Sequence, residues 1–81
     1  MKMGVGKTMK YNNLRAEMKR ANLTGKELAS ILKLSPQAVY MKLSGRVSWS
    51  VGQAVIVRNV LSDILNQDLT LEYLFGANND N

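Results

Sequence analysis

Two helix-start signals set close together between Thr24 and Gly45, in TGKELASILKLSPQAVYMKLSG, constrain this chain more than any other feature. Thr24 with Glu27 three residues later makes a capping box, whose hydroxyl and carboxylate satisfy backbone donors that a first helical turn leaves orphaned. Leu28, Ala29 and Leu32 then fall on one face at helical spacing, and Ala29 is small enough to let a second helix approach closely. Lys33 and Leu34 interrupt the pattern. Ser35 followed by Pro36 is the second start, since Ser caps a helix and Pro at its first position lacks only an N–H that had no intrahelical partner. Val39 and Leu43, four apart, face inward, and Gly45 supplies a left-handed residue to end the helix. The stretch predicts two short helices held at a steep angle by a tight turn.

Charge placement says more than the formal net +5. All 11 Lys and Arg lie at or before Arg58, with only Glu17 and Glu27 among them, so residues 1–58 carry +9. Asp63, Asp68, Glu72 and Asp80 leave the remainder at −4. A basic front with an acidic back suits docking on a polyanion, where phosphate neutralisation releases counterions; Lys and Arg also serve simply to solubilise helix surfaces.

An 81-residue chain, 46% hydrophobic, buries one modest core, which predicts a single domain of several short helices with loose ends. Without Cys there are no disulfides or thiolate sites, and without His the commonest metal ligand and acid–base group is missing. Six carboxylates, one committed to a cap, form no recognisable acid–base pair, so neither an enzyme nor a cofactor or metal is expected. No apolar run approaches the ~18–20 residues of a membrane span, and no apolar signal core follows the first lysine, which points to the cytoplasm.

Residues 1–9, MKMGVGKTM, show no hydrophobic period and read as a flexible basic arm whose lysines can still touch phosphates. Gly4-Val5-Gly6-Lys7-Thr8 has the look of a phosphate loop, but the full spacing needs a Gly where Met1 stands, and a nucleotide site is rejected. Tyr11 to Asn22 predicts a first helix with Leu14, Met18 and Ala21 on its inner face and Arg15, Lys19 and Arg20 away from it. Asn22 tolerates the left-handed end, and Leu23 folds back. Arg46-Val47-Ser48-Trp49 is a crossing loop in which Trp49 serves as a core anchor rather than a base-stacking platform, and Ser48 or Ser50 caps the next helix. Val51 to about Leu65 is helical in pattern, with Ala54, Val57, Leu61 and Ile64 inward and Val55, Ile56 and Val60 widening the stripe. Thr70 caps a last helix, Leu71 to Phe75, with Leu71, Leu74 and Phe75 inward, and 77–81 is a polar tail expected to be disordered. Residues 10–76 are thus the folded domain.

ELASILKLSPQAVYMKLSG resembles the helix-turn-helix of the phage repressor and Cro family, the XRE type, over roughly Tyr11 to Phe75. Carried over by position, Ala29 matches the family's small packing residue, Leu34 its buried turn residue, Val39 its buried recognition-helix residue and Gly45 its closing glycine. DLTLEYLFG is similar to the terminal segment of Cro-like repressors. Lys33 departs from the pattern, standing where the family most often has Gly, and a left-handed Lys costs roughly 1 kcal/mol. The resemblance implies an all-α, compact four- to five-helix lambda-repressor-like DNA-binding domain, with the second motif helix in the major groove.

On that placement Ser35, Pro36, Gln37, Ala38, Tyr40, Met41 and Lys42 face out. Base reading is expected of Gln37, whose amide matches adenine, of Ala38 and Met41 against thymine methyls, and of Tyr40. Phosphate contacts are expected of Arg15, Gly25, Lys26, Ser35, Lys42, Ser44 and Arg46, Gly25 and Lys26 lying at a helix N-terminus that suits an anion. The function implied is sequence-specific double-stranded DNA binding by a phage or prophage transcription regulator that occupies an operator, as a homodimer joined through Val55, Ile56 and the last helix, with no membrane or small-molecule ligand. The alternative is a helical protein-interaction module such as an antitoxin, using the apolar 55–60 face.

Overall fold

The computed structural model describes residues 11–76, and the basic arm and polar tail read from the sequence lie outside them. Five helices follow in order: α1 Asn12–Arg20, α2 Gly25–Leu32, α3 Pro36–Leu43, α4 Val51–Leu65 and α5 Leu71–Phe75, with no strand among the described residues. The domain is all-α. Each start after α1 carries its own cap. Thr24 and Glu27 form the expected box, Ser35 Oγ accepts from Ala38 N at 3.1 Å, and Thr70 Oγ1 accepts from Tyr73 N at 3.0 Å. Ser50, not Ser48, starts α4, in a second box with Gln53.

The helix ends share one device. At Asn22, Lys33, Gly45 and Asn66 the backbone turns left-handed, with φ of 58°, 60°, 87° and 54°. In each case the next amide reaches back to a carbonyl of the last turn: Leu23 to Met18, Leu34 to Ala29, Arg46 to Met41 and Gln67 to Ser62. This satisfies carbonyls that would otherwise be orphaned and folds the chain back on its helix. Only one of the four positions is a glycine. Tyr11 is also left-handed, at φ 57°, so α1 begins one residue later than the sequence pattern suggests, and it closes at Arg20 before left-handed Asn22.

Leu14, Met18, Leu28, Ala29, Val39, Leu43, Val57, Leu61, Leu69 and Leu74 form the buried core. α2 packs chiefly on α3, and α5 closes over α1 and α4. Tyr11, Trp49 and Phe75 meet edge-on at one end, with Trp49 and Phe75 centroids 5.4 Å apart. Trp49 is therefore a packing residue, as expected. Two inward assignments fail. Ile64 is 50% and Leu71 36% exposed, and their places are taken by Leu65 and by Leu69, which the 66–70 loop folds inward with its amide on Ser62 Oγ at 3.2 Å.

A polar joint reinforces the α1–α5 contact. Glu17 is buried at 5% exposure, pairs with Arg20 one turn on, and accepts from the Tyr73 hydroxyl at 2.7 Å. Asn13 Nδ2 donates to the Tyr73 carbonyl at 2.9 Å. The hydrogen bond to Glu17, then partial burial, then the Glu17 charge hold the Tyr73 phenol above its ordinary value of 10.0.

Replacing left-handed Lys33 by glycine removes a Cβ clash, so Lys33→Gly should raise the unfolding free energy by about 0.5–1 kcal/mol in urea titration, after the entropy glycine adds to the unfolded chain. The raised Tyr73 pKa means that this group stabilises the fold below pH 10 and loses that contribution as pH climbs through the native pKa. Urea midpoints measured across that alkaline window should fall more steeply for the native chain than for Tyr73→Phe.

Candidate nucleic-acid interface

α3 is anchored by its inner face, and that decides what its outer face presents. Val39 is fully buried and Leu43 5% exposed. A helix turning 3.6 residues per turn then projects Gln37, Tyr40, Met41 and Ser44 away from the core. These four, together with Arg46 from the following turn, line one open depression of about 270 Å³. Three of the expected base readers and two of the expected phosphate contacts thus share one surface. Its floor is neutral, offering an amide, a hydroxyl-bearing ring and a thioether.

Tyr40 is set by its neighbour. The residue is 55% exposed, yet its ring lies so close over Gly25 that a methyl group there would stand 2.7 Å from Cε1. Gly25 is buried beneath it. The expectation that Gly25 offers an open helix N-terminus to phosphate is corrected accordingly: Gly25 is buried, and an aromatic ring lies over the start of α2, where a larger residue would have to push that ring aside. Lys26, beside it, stays exposed.

Lys42 is the second correction. Expected to face outward toward phosphate, it is 8% exposed, donates from Nζ to the Ser48 carbonyl at 2.8 Å, and lies 5.8 Å from the centroid of the Trp49 ring. The aliphatic stem packs while the amine satisfies a carbonyl of the crossing loop, tying that loop to α3. Helical spacing held the signal: Val39, Lys42 and Leu43 stand at i, i+3 and i+4, so position 42 belongs to the inner face whatever residue fills it.

The remaining candidates divide. Ala38 is half-buried, with its amide donating to the Ser35 cap, so Ser35 is engaged in starting α3. Ser44 Oγ donates to the Met41 carbonyl at 2.9 Å and keeps its lone pairs for an outside donor. Arg46 is exposed. Arg15 is half-buried and sits apart, in a second cleft with Met18, Lys19, Leu23 and Leu43. Among the described residues no cluster of three or more His, Cys, Asp or Glu side chains is placed to hold a metal ion, and no helix is long and apolar enough to cross a membrane.

Compared with protein-family models, with curated proteins and with solved structures, the chain finds no match. The site therefore rests on its own geometry.

Lys42 supplies the test of that geometry. Lys42→Met keeps the packing stem but leaves the Ser48 carbonyl without its donor, and should cost about 1–3 kcal/mol in chemical unfolding. Arg46→Ala, removing an exposed side chain, should stay within about 0.5 kcal/mol of the native chain.

Proposed function

We propose that the chain is a sequence-specific double-stranded DNA-binding regulator of the phage repressor and Cro kind, acting in the cytoplasm by occupying an operator. One observation carries the reading: Gln37, Tyr40, Met41, Ser44 and Arg46 share a single open surface on a short helix whose start is defined by a Ser cap and a Pro. The major groove admits such a helix and presents each base pair as a distinct pattern of donors, acceptors and methyl groups. Gln37, in the first turn, offers adenine a donor and an acceptor together; Met41 suits a thymine methyl. Arg46 and Lys26 supply cations beside it, and the basic bias of residues 1–58 favours approach to phosphate.

A short helix reads few bases, so useful specificity calls for two copies on a two-fold site. Ile56, Val60 and Ile64 recur at i, i+4 and i+8 along α4, with Ile56 43% and Ile64 50% exposed. Of the contact expected from the sequence, Val55, Ile56 and the last helix, this stripe keeps Ile56; half-buried Val55 and the last helix lie off its line, and the stripe is the surface we assign to the symmetric dimer. The same exposure favours a second reading, a helical protein-interaction module such as an antitoxin, in which the stripe meets a different protein. Salt-sensitive binding to duplex DNA separates the two.

With about six phosphate contacts, log affinity should fall against log salt with a slope near about −5, and a slope near zero would remove the DNA reading. Gln37→Ala should cost about 1–3 kcal/mol on an operator selected from random duplexes and much less on random DNA, leaving the salt slope and melting temperature nearly unchanged. Equal loss on both DNAs would show that Gln37 reads no base.

A further inference from the structure

The second cleft has an apolar floor and a cationic rim. Met18 and Leu43 are buried and Leu23 is half-buried, while Arg15 and Lys19 stand at the edge of an open volume of about 200 Å³. No ion pair to either cation is formed among the described residues. Across the molecule, α5 and its approach show the converse: Leu71 is 36% exposed between Asp68 and Glu72, both exposed and both without an ion pair among the described residues.

The two features lie on opposite flanks of α1. Asn13 and Glu17 bind Tyr73 of α5, while Arg15 and Lys19 line the cleft against Leu23 and Leu43. Positions two apart on a helix are separated by about 200° around its axis, so α5 and the cleft face away from each other. One copy cannot bring them together.

We infer that the cleft receives the α5 edge of a second copy of this chain, with Leu71 seated on Met18, Leu23 and Leu43 and with Asp68 and Glu72 facing Arg15 and Lys19. Charge complementarity selects this occupant: a cleft with two cations suits an apolar group flanked by carboxylates, and the chain carries exposed Leu71 with exposed Asp68 and Glu72 close to it in sequence. Because the two patches differ and point apart, the contact is heterologous and does not close on itself, so it adds copies head to tail. It is separate from the α4 stripe assigned to the symmetric dimer.

Sedimentation equilibrium of the full chain without DNA tests the assembly. At about 0.05 M salt the weight-average mass should climb past that of a dimer with rising protein concentration, and at about 0.5 M the growth should largely vanish. Arg15→Glu with Lys19→Glu, or Asp68→Lys with Glu72→Lys, should each weaken association at least about tenfold. The chain carrying all four substitutions restores opposite charges across the contact and should regain it, a recovery that misfolding cannot produce. A mass that levels off at monomer or dimer, growth indifferent to either reversal, or a fourfold variant that stays dispersed would each overturn the proposal. Since no DNA is present, any of these results leaves the DNA-binding reading standing, and loss of that reading leaves this contact standing.

Discussion

The Leu34 amide reaching back across left-handed Lys33 to the Ala29 carbonyl is the contact on which the α3 surface depends. It ends α2 and sets the direction in which the chain leaves, so that Ser35 can cap a new helix at once instead of prolonging the old one. Ala29, 1% exposed, then lets α3 settle against α2 with Val39 in the core. Once Val39 and Leu43 are inside, the helical period alone places Gln37, Tyr40 and Met41 outside. The outer face of α3 is thus a consequence of a backbone hydrogen bond and a cap, and no side chain on that face has to contribute to making it.

Two charged residues sit where that period demands an inward side chain. Glu17 stands at i+3 from Leu14 and beside Met18; Lys42 stands at i+3 from Val39 and beside Leu43. Both are nearly covered, and each is satisfied by a group outside its own helix, Glu17 by the Tyr73 hydroxyl of α5 and Lys42 by the Ser48 carbonyl in the crossing loop. Burying a polar group without a partner costs more than the partnered bond returns, so these contacts specify where α5 and the crossing loop must lie. Glu17 positions the last helix, and Lys42 positions the loop that ends in Trp49.

The difference between what was legible and what was not follows the same line. Capping is local, and Thr24 with Glu27, Ser35 with Pro36 and Thr70 could be identified from residue types and spacing, as could the left-handed turns at Asn22 and Gly45. The inner stripes of α1, α2 and α3 were legible wherever they were apolar. Residue type misled where it opposed position: Lys42 looks like a surface cation, and Gly25 like an open helix start, until the Ser48 carbonyl and the Tyr40 ring are seen on them. Ile64 and Leu71 failed for another reason. Both are as apolar as core residues, and only the path of the 66–70 loop, which turns Leu69 inward, decides that they are left at the surface. Of the candidate site, the grouping of Gln37, Tyr40, Met41, Ser44 and Arg46 was within reach of spacing arguments, whereas the separation of Arg15 into another cleft was not.

On the DNA reading, affinity and selectivity fall to different side chains, and the packing of α3 on α2 matters because it joins them. Phosphate contacts carry no base identity; what they contribute to specificity is register, by holding the reading helix at one depth and one angle in the groove. Lys26 is in the first turn of α2, next to Gly25, and Gln37 and Met41 are on the outer face of α3 beside Tyr40. With α3 packed on α2 through buried Ala29 and Val39, and the Tyr40 ring lying over Gly25, the cation and the amide belong to one surface, so a phosphate held at Lys26 limits which base edges Gln37 can meet. Because Ala29 and Val39 are buried in one core, α2 and α3 cannot satisfy phosphate and base independently, and it is this fixed pairing that would let the same residues distinguish one sequence from another.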